Sequence, residues 1–233
     1  MSWNVRDMTG RGIGCENLVP NRFLFEFELP LQWRKDLGLL HNRGIAGFVD
    51  AERLPLLGAL DGEPALADIW ACWSESGLAV GCQVRRGPRS LKCDAKDPGG
   101  SDGLWICVDT RGSRDLRRAN RFCRRFLVMP KGGGSKGDTP VVLSPAFQRS
   151  REDAPTVRLD DVLIRGEIKD KSYSLLTIFP AEVLPGFNPL EHPRIGFYYM
   201  IQDRELGTQC LTVDNELQWD IDPSTWATAV LAR

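Results

Sequence analysis

Hydrophobic side chains in this chain recur at every second position, in short runs cut by Gly, Pro and Asp. Phe23, Phe25, Phe27 and Leu29 alternate with Leu24, Glu26 and Glu28 and read as a half-buried strand stopped by Pro30. Residues 69–73 and 78–84 are two apolar runs joined by Ser74-Glu75-Ser76-Gly77, which predicts a β-hairpin with Gly supplying the turn's positive φ. Leu104–Val108 is apolar on both faces and belongs at a sheet centre. Further strands are expected over Asn120–Met129, Val162–Ile168, Tyr173–Phe179, Ile195–Ile201, Leu211–Val213 and Trp226–Leu231, with scraps of helix at Ala181–Leu184 and near Glu52–Leu57. Sheets with one apolar face must cover it with another layer, so the expected fold is all-β, a jelly-roll-like antiparallel β-sandwich. Its 233 residues suit one domain of this class. Residues 1–55 are expected as an extension packed on it, and 131–156 as a long loop begun by the Gly-rich Lys131–Asp138.

Charge and composition narrow the function. Lys and Arg number 30 against 31 Asp and Glu, so wholesale attraction to nucleic acid or an anionic membrane is not expected. No apolar run approaches the roughly 20 residues of a membrane span, and the first residues lack a signal-peptide layout, which predicts a cytoplasmic protein. Seven Cys cannot all pair within one chain, and none forms a Cys-x-x-Cys spacing. They read as reduced thiols, several buried; a Cys72–Cys82 bridge across the hairpin is the competing reading.

Motifs for catalysis are sparse. His41 and His192 stand alone, there is no nucleophile elbow, and Gly132-Gly133-Gly134 lacks the rest of a phosphate-binding loop. Arg111–Arg125 holds seven Arg and one Asp. It reads as solvated faces and ion pairs or as a polar-ligand site; nucleic acid is the least suited, because the whole chain is neutral. Among seven Trp, Trp70, Trp73 and Trp105 lie in strand patterns and read as core. Trp33, Trp219 and Trp226 stand beside turns, where an open aromatic face could stack on a sugar ring.

Several segments, taken in order, resemble family 9 carbohydrate-binding modules and the related DOMON-like domains. They are Asp102–Arg111, a strand closing on Asp; Tyr173–Leu184, a Tyr and apolar strand followed by Pro and a short turn; Ile195–Asp203, a Gly-Phe strand closing on Asp; and Trp219, Asp222-Pro223 and Trp226 before the last strand. The resemblance covers roughly residues 60–231. Stand-alone bacterial members of the group tend to have His where this chain has Arg117 and Arg124, a departure that weakens a metal or acid–base role there.

What the resemblance implies is a non-catalytic module that binds a mono- or oligosaccharide, with a structural calcium in some relatives. The site residues expected are Asp109, Arg111, Arg121, Asp203, Glu205 and Trp219, gathered at one end or face, with Arg and Asp orienting hydroxyls and Trp stacking. Two other readings stay open. One is an interaction or scaffold protein that keeps the fold without a sugar site. The other is an enzyme or a haem-binding domain, with Met8, Met129 or Met200 and His41 or His192 as the haem candidates.

Overall fold

The computed structural model describes residues 20–87 and 89–233. Among these residues eleven strands and one short α-helix follow in chain order: β1 (Glu28–Trp33), α1 (Gly38–Arg43), β2 (Ala67–Ser74), β3 (Gly77–Arg85), β4 (Gly103–Asp109), β5 (Cys123–Gly133), β6 (Thr139–Leu143), β7 (Leu163–Lys169), β8 (Ser172–Pro180), β9 (Arg194–Asp203), β10 (Gly207–Cys210) and β11 (Ala227–Ala232). They hydrogen-bond in the order β6-β5-β4-β9-β11-β1-β2-β3-β8-β7, with β10 added along β9. The ribbon folds over on itself as a β-sandwich, and Phe126 of β5 meets Phe179 of β8 across the interior with ring centroids 4.3 Å apart.

The hairpin expected at Ser74–Gly77 joins β2 to β3, with Gly77 at φ 146°. β4 is buried along its whole length, as its doubly apolar pattern requires. Its inner face meets the opposite sheet, and its outer face is covered by the chain after β10, including the buried Leu211, Val213 and Trp219. Leu211–Val213, expected as a strand, is part of this cover; the strand of the region is β10, four residues earlier. On the second sheet α1 sets Leu37 and Leu40 against Cys72, Ala79, Leu176 and Ile178.

Two further expectations are corrected. The alternation at Phe23–Leu29 does not end at Pro30: Asn21–Leu24 is a 3-10 turn, and β1 runs through Pro30 with Leu29 and Leu31 buried. Pro30 stands opposite Val230 of β11, and on its other side pairing with β2 begins only at Gln32↔Cys72, so one flank of the strand asks no ladder donor of it. β1 lies parallel to both its neighbours, β11 and β2, the exception in an otherwise antiparallel sheet. The region before residue 55, expected as an extra strand and cover, supplies β1, the strand that connects the two halves of the ribbon. Finally, the loop expected over 131–156 is divided: β5 continues to Gly133 and turns back as β6, pairing Gly133↔Thr139 and Leu127↔Leu143. The edges β6 and β7 come side by side, so close that a Cβ added at Gly166 would lie 3.2 Å from the Pro140 ring, and the proline withholds the donor an edge ladder needs.

All six described cysteines are free thiols. Cys82 pairs with Ile69 and Cys72 with Ala79, so the two thiols are on opposite faces of the hairpin and no bridge joins them. Cys15 and Met8 lie outside the described residues.

Candidate functional site

Antiparallel pairing of β4 with β9 decides where the expected site residues go. Asp109, the last residue of β4, faces Gly196 near the start of β9, whereas Asp203 is the last residue of β9. Seven steps along β9, each about 3.4 Å, place the two carboxylates roughly 24 Å apart at opposite ends of the sheet. They cannot belong to one site.

At the Asp203 end the acids are occupied by the fold. The Asp203 side chain is fully buried; Oδ2 accepts from Arg86 Nε at 3.0 Å, and Oδ1 accepts from the backbone amides of Glu205 (2.9 Å) and Leu206 (3.2 Å). Glu205 Oε2 stands 3.5 Å from Arg86 Nη2, close enough to share its charge without a hydrogen bond. Trp219 is also enclosed. Its ring stacks on Tyr198 with centroids 5.0 Å apart and meets Trp105 edge-on at 5.7 Å, while its Nε1 donates to Asn215 at 3.0 Å. With 4% of its surface exposed it offers no platform to a ligand.

At the Asp109 end the structure does bring residues together. Asp109 is buried, and its two carboxylate oxygens accept from the amides of Arg111 (3.0 Å) and Ser113 (2.7 Å), folding the 109–113 turn. Gly112 makes that turn, at φ 58°, where a Cβ would sit 2.7 Å from the Arg194 carbonyl oxygen. Burial raises the Asp109 pKa above the ordinary 3.8, outweighing the two amide donors and the Arg111 charge. Arg111 donates to the Gly186 carbonyl at 3.0 Å and lies 4.4 Å over the Phe122 ring. Arg121 covers the same ring at 5.0 Å and stands 3.8 Å from Glu152. This ring is thereby shared between two guanidinium groups.

Beside Asp109 a cleft of about 350 Å³ opens between the 109–115 turn, the segment before β1 and the start of β11. Its walls include Phe25, Glu26, Asp109, Arg114, Trp226 and Thr228. Phe25 is 61% exposed. Trp226 is buried, its Nε1 donating to the Trp219 carbonyl at 2.8 Å and its ring lying against Phe147 with centroids 5.9 Å apart. Arg114 donates to Glu26 Oε2 at 2.9 Å and to Thr228 Oγ1 at 3.3 Å, so a guanidinium, a carboxylate and a hydroxyl share one wall. The segment carrying Phe25 is pinned by the buried Arg22, whose Nε donates to Thr212 O and whose Nη1 pairs with Glu63, both at 2.6 Å. Alternation at Phe25 and the Arg run at Arg114 were visible in the sequence; their meeting across the start of β11 was not.

The chain finds no match among protein-family models or among curated proteins. Its fold, however, is similar to that of solved structures. A family 9 carbohydrate-binding module from Caldicellulosiruptor kristjanssonii in complex with cellotriose superposes with a TM-score of 0.59, covering 88% of this chain and 94% of the module at 12% identity. A family 9 module from the same organism in complex with glucose gives a TM-score of 0.57, covering 89% and 97% at 13% identity. The chain has the fold of a family 9 carbohydrate-binding module. At these identities the likeness to the family 9 modules is one of fold, and the roles of individual residues rest on this chain's own geometry. Among the described residues no group of three or more His, Cys, Asp and Glu side chains could hold a metal ion. Of the haem candidates, Met129 and Met200 are core residues.

Proposed function

We propose that the chain is a non-catalytic carbohydrate-binding module whose saccharide lies in the cleft between Phe25 and Asp109. The observation that carries this reading is an exposed aromatic ring facing a wall of hydrogen-bonding groups, on the fold of a family 9 module. A pyranose has an apolar C–H face and a hydroxyl edge; the Phe25 ring suits the first and the Glu26, Arg114 and Asp115 side chains the second. Two of the cleft's carboxylates are held by donors, Asp109 folding its own turn and Glu26 pairing with Arg114, which suits binding rather than acid–base turnover. Covering one face of Phe25 removes roughly 60 Å² of apolar surface at about 25 cal/mol per Å², or about 1.5 kcal/mol and tenfold in Kd.

Titration calorimetry with glucose, cellotriose and a panel of soluble glycans tests the reading. At least one saccharide is expected to bind the parent protein, and F25A is expected to weaken it about tenfold with the melting temperature retained. The reading fails if no saccharide binds the parent, or if F25A and R114A both bind like the parent. A competing reading is a scaffold that keeps the fold without a sugar site. It draws on the burial of Trp73, Trp105, Trp219 and Trp226, and would prevail on the first of those failures.

A further inference from the structure

Five of the seven arginines in the 111–125 run project from the turn before β5; the last two, Arg124 and Arg125, lie within β5 and go to opposite faces. Both are buried, at 8% and 9% exposure. Arg125 is accounted for. It donates to the carbonyls of Pro145 (3.1 Å) and Ala146 (2.5 Å), lies against Phe147 and Trp105, and has Asp220 Oδ2 at 3.9 Å from Nη1.

Arg124 is not. Its Nη2 donates to the Pro155 carbonyl, its Nη1 reaches Ser144 Oγ at 3.4 Å, and its Nε is buried with no acceptor. Both partners are neutral, and among the described residues no carboxylate pairs with it. A guanidinium carries five N–H donors and a full charge, and out of water it needs an acceptor set and a counter-charge. Burial alone lowers the Arg124 pKa from its ordinary value, with no neighbour opposing the shift.

The side chain lines a cleft of about 260 Å³ between β5 and the segment 144–159, where the hydroxyl-bearing Ser144, Ser150 and Thr156 also sit. Two exposed carboxylates border it, and each is engaged: Asp153 accepts from Ser150 Oγ at 2.6 Å, and Glu152 stands beside Arg121. No lining residue is shared with the Phe25 cleft, so this site stands or falls apart from the saccharide reading.

We propose that the Arg124 cleft binds the oxyanion of a small polar compound, a carboxylate or phosphate group, with the guanidinium as its fork and the Ser144 hydroxyl beside it. The planar donor pair matches either anion bidentately, and the anion supplies the charge that the protein withholds.

The test is calorimetric titration of the full chain with glucuronate and with inorganic phosphate, at ionic strength matched with sodium chloride. At least one of the two should bind saturably, the stronger naming the group preferred. R124Q should weaken it about ten- to hundredfold, the loss of a charge-assisted fork, and R124K should weaken it less. Hydrogen exchange on the parent gives a readout that needs no variant: the bound anion should protect amides of 144–157 and 123–125. Failure of both anions to bind beyond chloride, protection confined elsewhere, or parent-like binding by R124Q would each overturn the proposal.

Discussion

Replacing Asp203 by Ala asks whether the strand-terminal acid is structural. The substitution removes a fully buried carboxylate, its 3.0 Å bond from Arg86 and the two backbone amide bonds that fold the turn after β9. Arg86 is itself only 6% exposed and would keep a single counter-charge, Glu205 at 3.5 Å. Breaking a buried pair costs about 3–5 kcal/mol, and the remaining glutamate argues for the lower end, about 3 kcal/mol. For a chain of this size that is a fall in melting temperature of roughly 6–12 °C. Urea unfolding followed by circular dichroism and by tryptophan fluorescence measures it, provided the two probes coincide and the m-value is unchanged. Saccharide affinity should not move, because the Phe25 cleft is at the far end of β9. A loss below about 1 kcal/mol would refute the structural assignment, since that is the range of an exposed pair. Lost affinity at retained stability would refute the separation of the two ends.

Gly77→Ala should cost about 1–3 kcal/mol or more in the same urea assay, because φ is 146° and the new Cβ would fall 2.0 Å from the Phe179 carbonyl oxygen; a neutral effect would contradict the β3–β8 pairing there. Burial pushes the Cys82, Cys123 and Cys210 thiols up to about 12 and raises Cys72 and Cys107 as well, so thiol titration at pH 8 should leave these five unreactive in the native protein and count all seven Cys after denaturation without reductant. A count short of seven would mean a disulfide. Asp109 holds its proton more tightly folded than unfolded, so its contribution is greatest below the unfolded pKa and is lost as pH rises through the higher folded value. Urea melts from about pH 3 to 6 should therefore show the parent losing ground to D109N as pH rises, and the opposite slope would mean that the amide bonds, not burial, dominate.

Local sequence determined the strands themselves. Alternation and turn chemistry are properties of a few consecutive residues, which is why the β2–β3 hairpin, the doubly buried β4 and the buried Cys107 and Cys123 could be read directly. It also carried the ambiguity of Phe23–Leu29, where Pro30 reads as a stop unless one knows that β11 lies alongside it and that pairing with β2 begins two residues later. The candidate site was legible only in part. Asp109 was found because it ends an apolar strand, but Asp203 ends one too, and nothing local separates them. Pairing direction decided that question: β4 and β9 run antiparallel, so two strand-terminal acids that look alike in sequence finish at opposite ends. In the same way Trp219 beside a turn looks open until Tyr198 and Trp105 close over it, and Arg124 looks solvated until the 144–159 segment folds across β5. Periodicity reports which side chains share a face of one strand. Which strand lies alongside, in which direction, and what covers the outer face are set by contacts between residues far apart in the chain, and these only the tertiary structure decides.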